Sequence, residues 1–367
     1  MNMNEFNEQH TDTEQTKCND CGAILNFEPG TTSLLCQYCG ANNEIAISDD
    51  KIEELDYLSF INDKIVDAEK QEITTVKCNS CGAAVTMKPN LTSDDCPFCG
   101  TPLVIESGST HSVLKPKSLL PFKIDKNTAF ESYKKWVKKL WFAPSKLKQV
   151  ALNIEKMKGM YIPFWTYDSS TYSSYTGSRG DHYYVTESYT ENGQTKTRQV
   201  QKTRWTRVSG TVSHFFDDVL ILASKSLPKK KADKLEPWDL QELVPYDNKF
   251  LSGFQTESYQ VELKEGFEEA KQRMDSYIRT LVRRDIGGDE QRISSVKTQY
   301  NDIRFKHLLL PLWISAYRFK SKVYRFLINA RTGEVQGERP YSFWKIFFTV
   351  LLGIAIIASA IYFFNQR

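Results

Sequence analysis

The eight cysteines constrain this chain more than any other feature, because they fall into two sets of one pattern. Cys18 and Cys21 are separated by two residues, and fourteen residues later Cys36 and Cys39 repeat that separation. Cys78, Cys81, Cys96 and Cys99 restate the whole pattern sixty residues on, with Gly22/Gly82, Ala23/Ala83, Pro29/Pro89 and Gly40/Gly100 carried along. A C-x-x-C turn brings two thiolates toward one ion. Two such turns close a tetrahedral S4 site with no open position for chemistry. Glycine after the second cysteine of each turn suits a backbone whose N–H groups approach sulfur. The expectation is two structural zinc ribbons, one Zn2+ each, with all eight cysteines as ligands. An iron site of rubredoxin type uses similar spacing and stays open on spacing alone. Four disulfides need an oxidising compartment, and the polar opening MNMNEFNE has neither the charged start nor the apolar core of a signal peptide. A thioredoxin-like redox pair does not account for four cysteines per repeat.

The net charge of +3 conceals an asymmetry. Residues 1–75 carry sixteen acidic against four basic side chains, and residues 76–105 balance. Residues 106–150 hold ten lysines against three acids, and residues 151–367 hold 32 basic against 24 acidic groups. An acidic N-terminal part is thus joined to a basic body, and this difference restricts partners.

The expected division is a disordered N-terminus over 1–16, ribbons over 17–48 and 77–107, a helical linker over 49–76, an α+β body over 112–340 and a membrane anchor over 341–367. The linker shows Ile52, Leu55, Leu58, Ile61 and Ile65 at roughly helical spacing. In the body, Asn127 or Thr128 is placed to cap a helix with Phe130, Tyr133, Val137 and Leu140 on one face and Lys134, Lys135, Lys138 and Lys139 on the other. Ala143-Pro144 ends it, and a short helix through 147–157 leads to the aromatic strand YIPFWTY. Strands flanking Glu191-Asn192-Gly193 read as a hairpin, followed by strand over 208–224. A strand over 254–263, a helix over 265–283 and strands over 294–300, 308–319, 322–329 and 334–337 complete the body. Leu310-Pro-Leu-Trp echoes Ile162-Pro-Phe-Trp, which suggests a duplicated strand–helix–strand unit. The fold class is therefore α+β with mostly antiparallel sheet.

Residues 346–364 read IFFTVLLGIAIIASAIYFF, without a charge. At 1.5 Å per residue they reach roughly 28 Å, the scale of a bilayer's hydrocarbon core. Tyr341, Phe343 and Trp344 before the run and Tyr362 at its end form an aromatic belt, and Arg339 and Lys345 flank it. Reduced thiolates call for the cytosolic side. The expectation is a single-pass, tail-anchored protein of the inner (cytoplasmic) membrane with the bulk of the chain cytosolic.

Motifs for catalysis are missing. There is no phosphate loop, no H-E-x-x-H and no G-x-S-x-G, and the cysteines are spent on metal. His214 near Asp217 and Asp218 is an acid–histidine pairing, and it lies in a strand-like segment. Arg179-Gly180-Asp181 looks like an adhesion tripeptide but reads as an ordinary loop. No enzyme activity is expected.

Taken together, Cys96-Pro-Phe-Cys99-Gly, the YIPFWTY strand at 161–167, Leu310–Trp313 and the Asn329-x-x-Thr-Gly-x-Val335 segment resemble a group of uncharacterised bacterial tail-anchored zinc-ribbon proteins. Members are often labelled primosomal helicase-like or transcription factor IIB-type zinc-ribbon proteins. The likeness covers nearly the whole chain. It implies zinc on the eight cysteines and nothing catalytic, since no helicase motor is present.

Two functions are in contention. One is a membrane-tethered adaptor or scaffold, with a basic body near anionic lipid and the ribbons as an outward arm for a protein partner. The other is nucleic-acid binding. Phosphate contacts demand clustered Lys/Arg, and neither ribbon supplies them; the lysines around 134–148 and Lys229-Lys230-Lys231 are the alternative surface.

Overall fold

The computed structural model describes residues 16–47, 51–62, 70–86, 93–104, 109–144, 157–319 and 322–365. The expected disorder over 1–16 and helix over 147–157 fall almost wholly outside these residues. The first ribbon holds strands β1 (Asn26–Phe27), β2 (Ser33–Leu35) and β3 (Asn42–Glu44). Strand β4 (Leu55–Asp56) and helix α1 (Tyr57–Ile61) follow. The second ribbon brings β5 (Lys70–Lys77), β6 (Ala84–Thr86), β7 (Ser93–Asp95) and β8 (Pro102–Val104). The body begins with β9 (Ser109–Leu114), β10 (Ser118–Leu119), α2 (Lys126–Lys139), β11 (Lys158–Glu191) and β12 (Gln194–Leu222). It continues through α3 (Lys229–Ala232), β13 (Val244–Pro245), β14 (Gln255–Glu257) and α4 (Leu263–Ile286). Strands β15 (Glu290–Phe319), β16 (Lys322–Asn329) and β17 (Val335–Gly337) precede the apolar helix α5 (Phe343–Asn365).

One mixed, mostly antiparallel sheet organises the molecule, with β15 and β11 side by side at its centre. Strands β11 and β12 form the predicted hairpin. Asn192 and Gly193 both take positive φ (50° and 78°), which is the two-residue turn whose twist matches the strands it joins. From Asp181 to the turn the hairpin is two-stranded; before that, β15 pairs along β11 as far as Gly180 opposite Glu290. Helix α4 covers one face of this three-stranded part. Its stripe of Phe267, Ala270, Met274, Ile278, Val282 and Ile286 is buried against the strands. Tyr167 donates to Leu263 O at 2.7 Å and Trp165 Nε1 to Val261 O at 2.8 Å, pinning the start of the helix. Gly266 is required there, because a Cβ would collide with the Tyr167 hydroxyl.

The two Pro-Trp strands face each other about a local two-fold axis, with Ile162 directly opposite Leu310. The same axis relates β10, parallel to β15 at Leu308, to β14, parallel to β11 at Met160. Helix α2 then starts eight residues after Ser118, and α4 eight residues after Gln255. Helix α2 is capped by Asp125, which accepts from Thr128 N at 2.8 Å, and buries Phe130, Tyr133 and Val137. The closing Asn-x-x-Thr-Gly segment is a turn built by Asn329, whose side chain accepts from Arg331 N (2.8 Å) and Thr332 N (3.2 Å), with Gly333 at φ 77°.

Several expectations change in detail. The linker over 49–76 is not one helix: its described part is β4, the five-residue α1 and the start of β5. Residues 294–300 and 308–319 belong to one strand, because a bulge with Asp302 at φ 50° absorbs the irregularity without ending the pairing. The strand over 254–263 is cut to β14, since the carbonyls of Val261 and Leu263 are taken by Trp165 and Tyr167. Arg179-Gly180-Asp181 lies inside β11, not in a loop.

Neither ribbon projects as a separate arm. Strand β6 of the second ribbon pairs with β14 of the body, and β5 with β9, so these strands belong to the main sheet. The first ribbon keeps its own three-stranded sheet and docks through apolar side chains and main-chain hydrogen bonds, Gly30 N reaching Phe122 O at 2.9 Å. Phe27 meets Phe250 edge-on at 5.3 Å between ring centres, and its N–H reaches Ser252 O at 3.0 Å.

Candidate metal centres

Each ribbon gathers its four sulfurs within 4.8 Å of one another, so all eight sequence-predicted ligands meet in the expected two groups. In the first, Cys18 and Cys39 Sγ stand 3.6 Å apart, and Cys21 and Cys36 Sγ 3.5 Å. In the second, the Cys78–Cys99 and Cys81–Cys96 pairs are both at 3.6 Å. A disulfide needs about 2.05 Å. Four sulfurs about 2.3 Å from a central ion at tetrahedral angles lie roughly 3.8 Å apart, so the donor set and its spacing fit one Zn2+ per ribbon.

The local backbone explains the convergence. Gly22, Gly40, Gly82 and Gly100 all take φ between 70° and 77°, the left-handed conformation that turns each knuckle back on itself. In every knuckle the glycine N–H bonds to the carbonyl of the first cysteine, as in Gly22 N to Cys18 O at 2.9 Å. The amides of Cys39 and Tyr38 hold the Cys36 thiol down at about 6, against the opposing pull of burial. In the second ribbon the Cys96 thiol holds Cys81 down at about 5, whereas burial raises Cys78. Each site therefore offers a ready thiolate, and ion binding displaces the remaining protons.

Exposure separates the two sites. Cys21 and Cys39 are exposed in the first ribbon, whereas Cys81 and Cys99 in the second are partly covered; the other four ligands are buried. Tyr38, 89% exposed, stands beside Cys39 at the rim of the first site.

A third group of acids was not anticipated from the sequence. Glu54, Asp168 and Asp217 bring carboxylate oxygens within 4.8 Å of one another. Lys306, itself buried, places its ammonium 3.0 Å from Glu54 and 2.7 Å from Asp218. Asp168 accepts from Asp218 N at 2.6 Å. Burial raises Asp168 to about 7, and Glu54 beside it adds to the rise. The ammonium supplies the positive charge a metal would bring, so this group is an ion-pair latch that fastens β4 to β15. A charged residue directly after the apolar YIPFWTY strand was the signal available in the sequence. His214, paired in the sequence with Asp217 and Asp218, packs its ring edge-on against Phe216 and at a tilt against Tyr277. Lys135, Lys138 and Lys139 line the exposed face of α2, and Lys229 ion-pairs with Glu269 of α4.

Helix α5 completes the set of features with a functional reading. Its 22 residues Phe343–Phe364 are long and apolar enough to cross a membrane, and the rest of the chain covers none of that apolar stretch. By fold and site this is an α+β protein with two four-cysteine clusters and one C-terminal apolar helix. The chain is similar to the uncharacterized protein YdjG of Bacillus subtilis, with 29% identity over 336 residues, covering 90% of this chain and 91% of that protein. No family model matches the chain, and no solved structure matches it.

Proposed function

We propose that this chain is a membrane-tethered zinc-ribbon adaptor with no catalytic role, holding a protein partner at the cytosolic face of the inner membrane. One observation carries the reading: two closed all-sulfur sites, which leave no coordination position for a substrate, share a chain with an uncovered apolar helix. Helix α5 is the single tail anchor, and the basic body lies near anionic lipid. The binding surface is the body with its docked ribbons. The body itself is two copies of one strand–helix–strand unit, a reading supported by the common axis and the matched starts of α2 and α4. What departs from that symmetry is the extended β11–β12 hairpin, which makes it the first place to look for a partner contact. The test is crosslinking in native membranes, comparing the intact chain with a Cys18→Ser/Cys21→Ser variant, in which the body should stay folded. Partners lost with the first ribbon support the adaptor; a chain recovered in the soluble fraction after carbonate washing rejects the anchor.

A second reading, nucleic-acid binding, draws on β12. That strand carries Lys196, Arg198, Lys202, Arg204 and Arg207 with no acid between residues 194 and 216. A salt-dependent mobility shift that disappears when these five become Gln is its expected signature, and absence of a shift at low salt rejects it.

A further inference from the structure

We propose that the turn after α2 is a second membrane contact, with the Trp141 indole lying in the interface of an anionic bilayer beside the first turn of α5. This rests on reading α5 as the span. The turn is tied to that helix by main-chain and ammonium hydrogen bonds. Ser342 N donates to Phe142 O at 2.7 Å, and Lys345 Nζ donates to Ala143 O at 2.8 Å and Trp141 O at 3.2 Å. Lys345 thereby satisfies carbonyls of the turn that follows α2, which puts a cation near the favourable end of the helix dipole.

Depth follows from that bond. Lys345 immediately precedes the uncharged run that starts at Ile346, so its ammonium must stay at the level of the headgroups. The carbonyls it holds are at the same level. Trp141 in this turn has 73% of its surface exposed, and Trp344 (65%) and Phe343 (72%) in the first turn of α5 are exposed as well. A tryptophan with an apolar face and one N–H donor is suited to that boundary. Lys135, Lys138 and Lys139 on the adjoining exposed face of α2 match anionic headgroups in charge. The molecule then touches the bilayer at two points, which restricts how far the body can swing about α5.

The experiment uses the full chain reconstituted in vesicles of phosphatidylcholine alone or mixed with phosphatidylglycerol, with acyl chains brominated near the headgroup to quench nearby tryptophans. Wild type, Trp141→Phe and Trp344→Phe are compared. Each substitution is expected to remove a similar share of the quenchable fluorescence, and the Trp141 share should rise with phosphatidylglycerol. In a Lys135/Lys138/Lys139→Gln variant that dependence on lipid charge should disappear. If Trp344 is quenched and Trp141 is not, the second contact is wrong although the span stands. If neither is quenched, the span reading itself fails. If an added oligonucleotide protects Trp141 from the lipid, the lysine face belongs to nucleic acid and the proposal is overturned.

Discussion

The two ribbons share every cysteine spacing yet relate to the body in different ways. The first is a guest in its strand pairing: its three strands pair only among themselves. It adheres by burying Cys18, Leu25, Phe27, Leu34 and Cys36 in one cluster with Phe122, Phe250 and Phe254, and by hydrogen bonds from Phe27 N and Gly30 N to Ser252 O and Phe122 O. The second is a component: β6 pairs with β14, and Cys78, Cys96 and Phe98 are buried in one cluster with Met160, Ile162 and Leu310 from the central strands. Identical metal chemistry can therefore serve either as a clip on an accessory lobe or as a strut inside a sheet. The spacing defines the ion site, and the residues around it decide what the ion supports.

This contrast can be broken most directly by removing one ligand at a time. Structural zinc in small sites binds with roughly 10–16 kcal/mol, comparable to or above the whole stability of an ordinary domain at about 5–15 kcal/mol. Cys78→Ser should leave one zinc per chain by elemental analysis and abolish the cooperative thermal transition of the body. Cys18→Ser should also leave one zinc but preserve that transition. Equal damage from the two substitutions would show that both ribbons are struts. A smaller effect is expected from Phe27→Ala, about 3–5 kcal/mol for a buried phenylalanine. Hydrogen exchange should accelerate in β1 to β3 and stay unchanged in β5 and β6.

The segment between the ribbons gives a pH-dependent test. The folded chain keeps a proton on Asp168 up to about 7, whereas an unfolded aspartate releases it near 4. The folded state thus binds more protons between those values, and stability falls as pH rises from about 4 through 7. Glu54 is shifted the other way: despite burial, Asp168 and Lys306 lower it, and its own contribution is lost as pH falls. Asp168→Asn should remove the loss between about pH 4 and 7, at most about 4 kcal/mol at roughly 1.4 kcal/mol per pH unit, visible as a flatter plot of melting temperature against pH. The smallest expected difference is kinetic. With Cys21 and Cys39 exposed, the first site should release its ion to a chelator at least about tenfold faster than the second, a gap of about 1.4 kcal/mol in barrier. A colorimetric zinc assay should be biphasic, with Cys18→Ser leaving the slow phase alone.

Much of this architecture is legible in the sequence. Cysteine spacing marks the ligands because few other structures require that pattern, and an uncharged run long enough to span a bilayer is equally specific. Asn192-Gly193 marks the hairpin because few other pairs accept positive φ at both positions. What the sequence hid was main-chain pairing at a distance. Thr86 and Val85 carry no side-chain mark of their partners Thr256 and Glu257, so the second ribbon read as a separate unit. Asn301-Asp302 resembles a turn, and only the neighbouring strand shows that pairing continues past it. The latch was hidden for the same reason, since Glu54, Asp168 and Lys306 meet only when three distant strands are assembled.

The pairing of β6 with β14 also sets an order in time. During synthesis the second ribbon emerges before β11, β14 and β15, and its cysteines can take up their ion while Val85, Phe98 and Leu103 still lack their cover. Until the later strands arrive, the metal alone holds this island together, with an apolar face open to wrong partners. Scarcity of the ion should therefore damage newly made chains far more than finished ones, in which Cys78 and Cys96 are already sealed beneath the sheet.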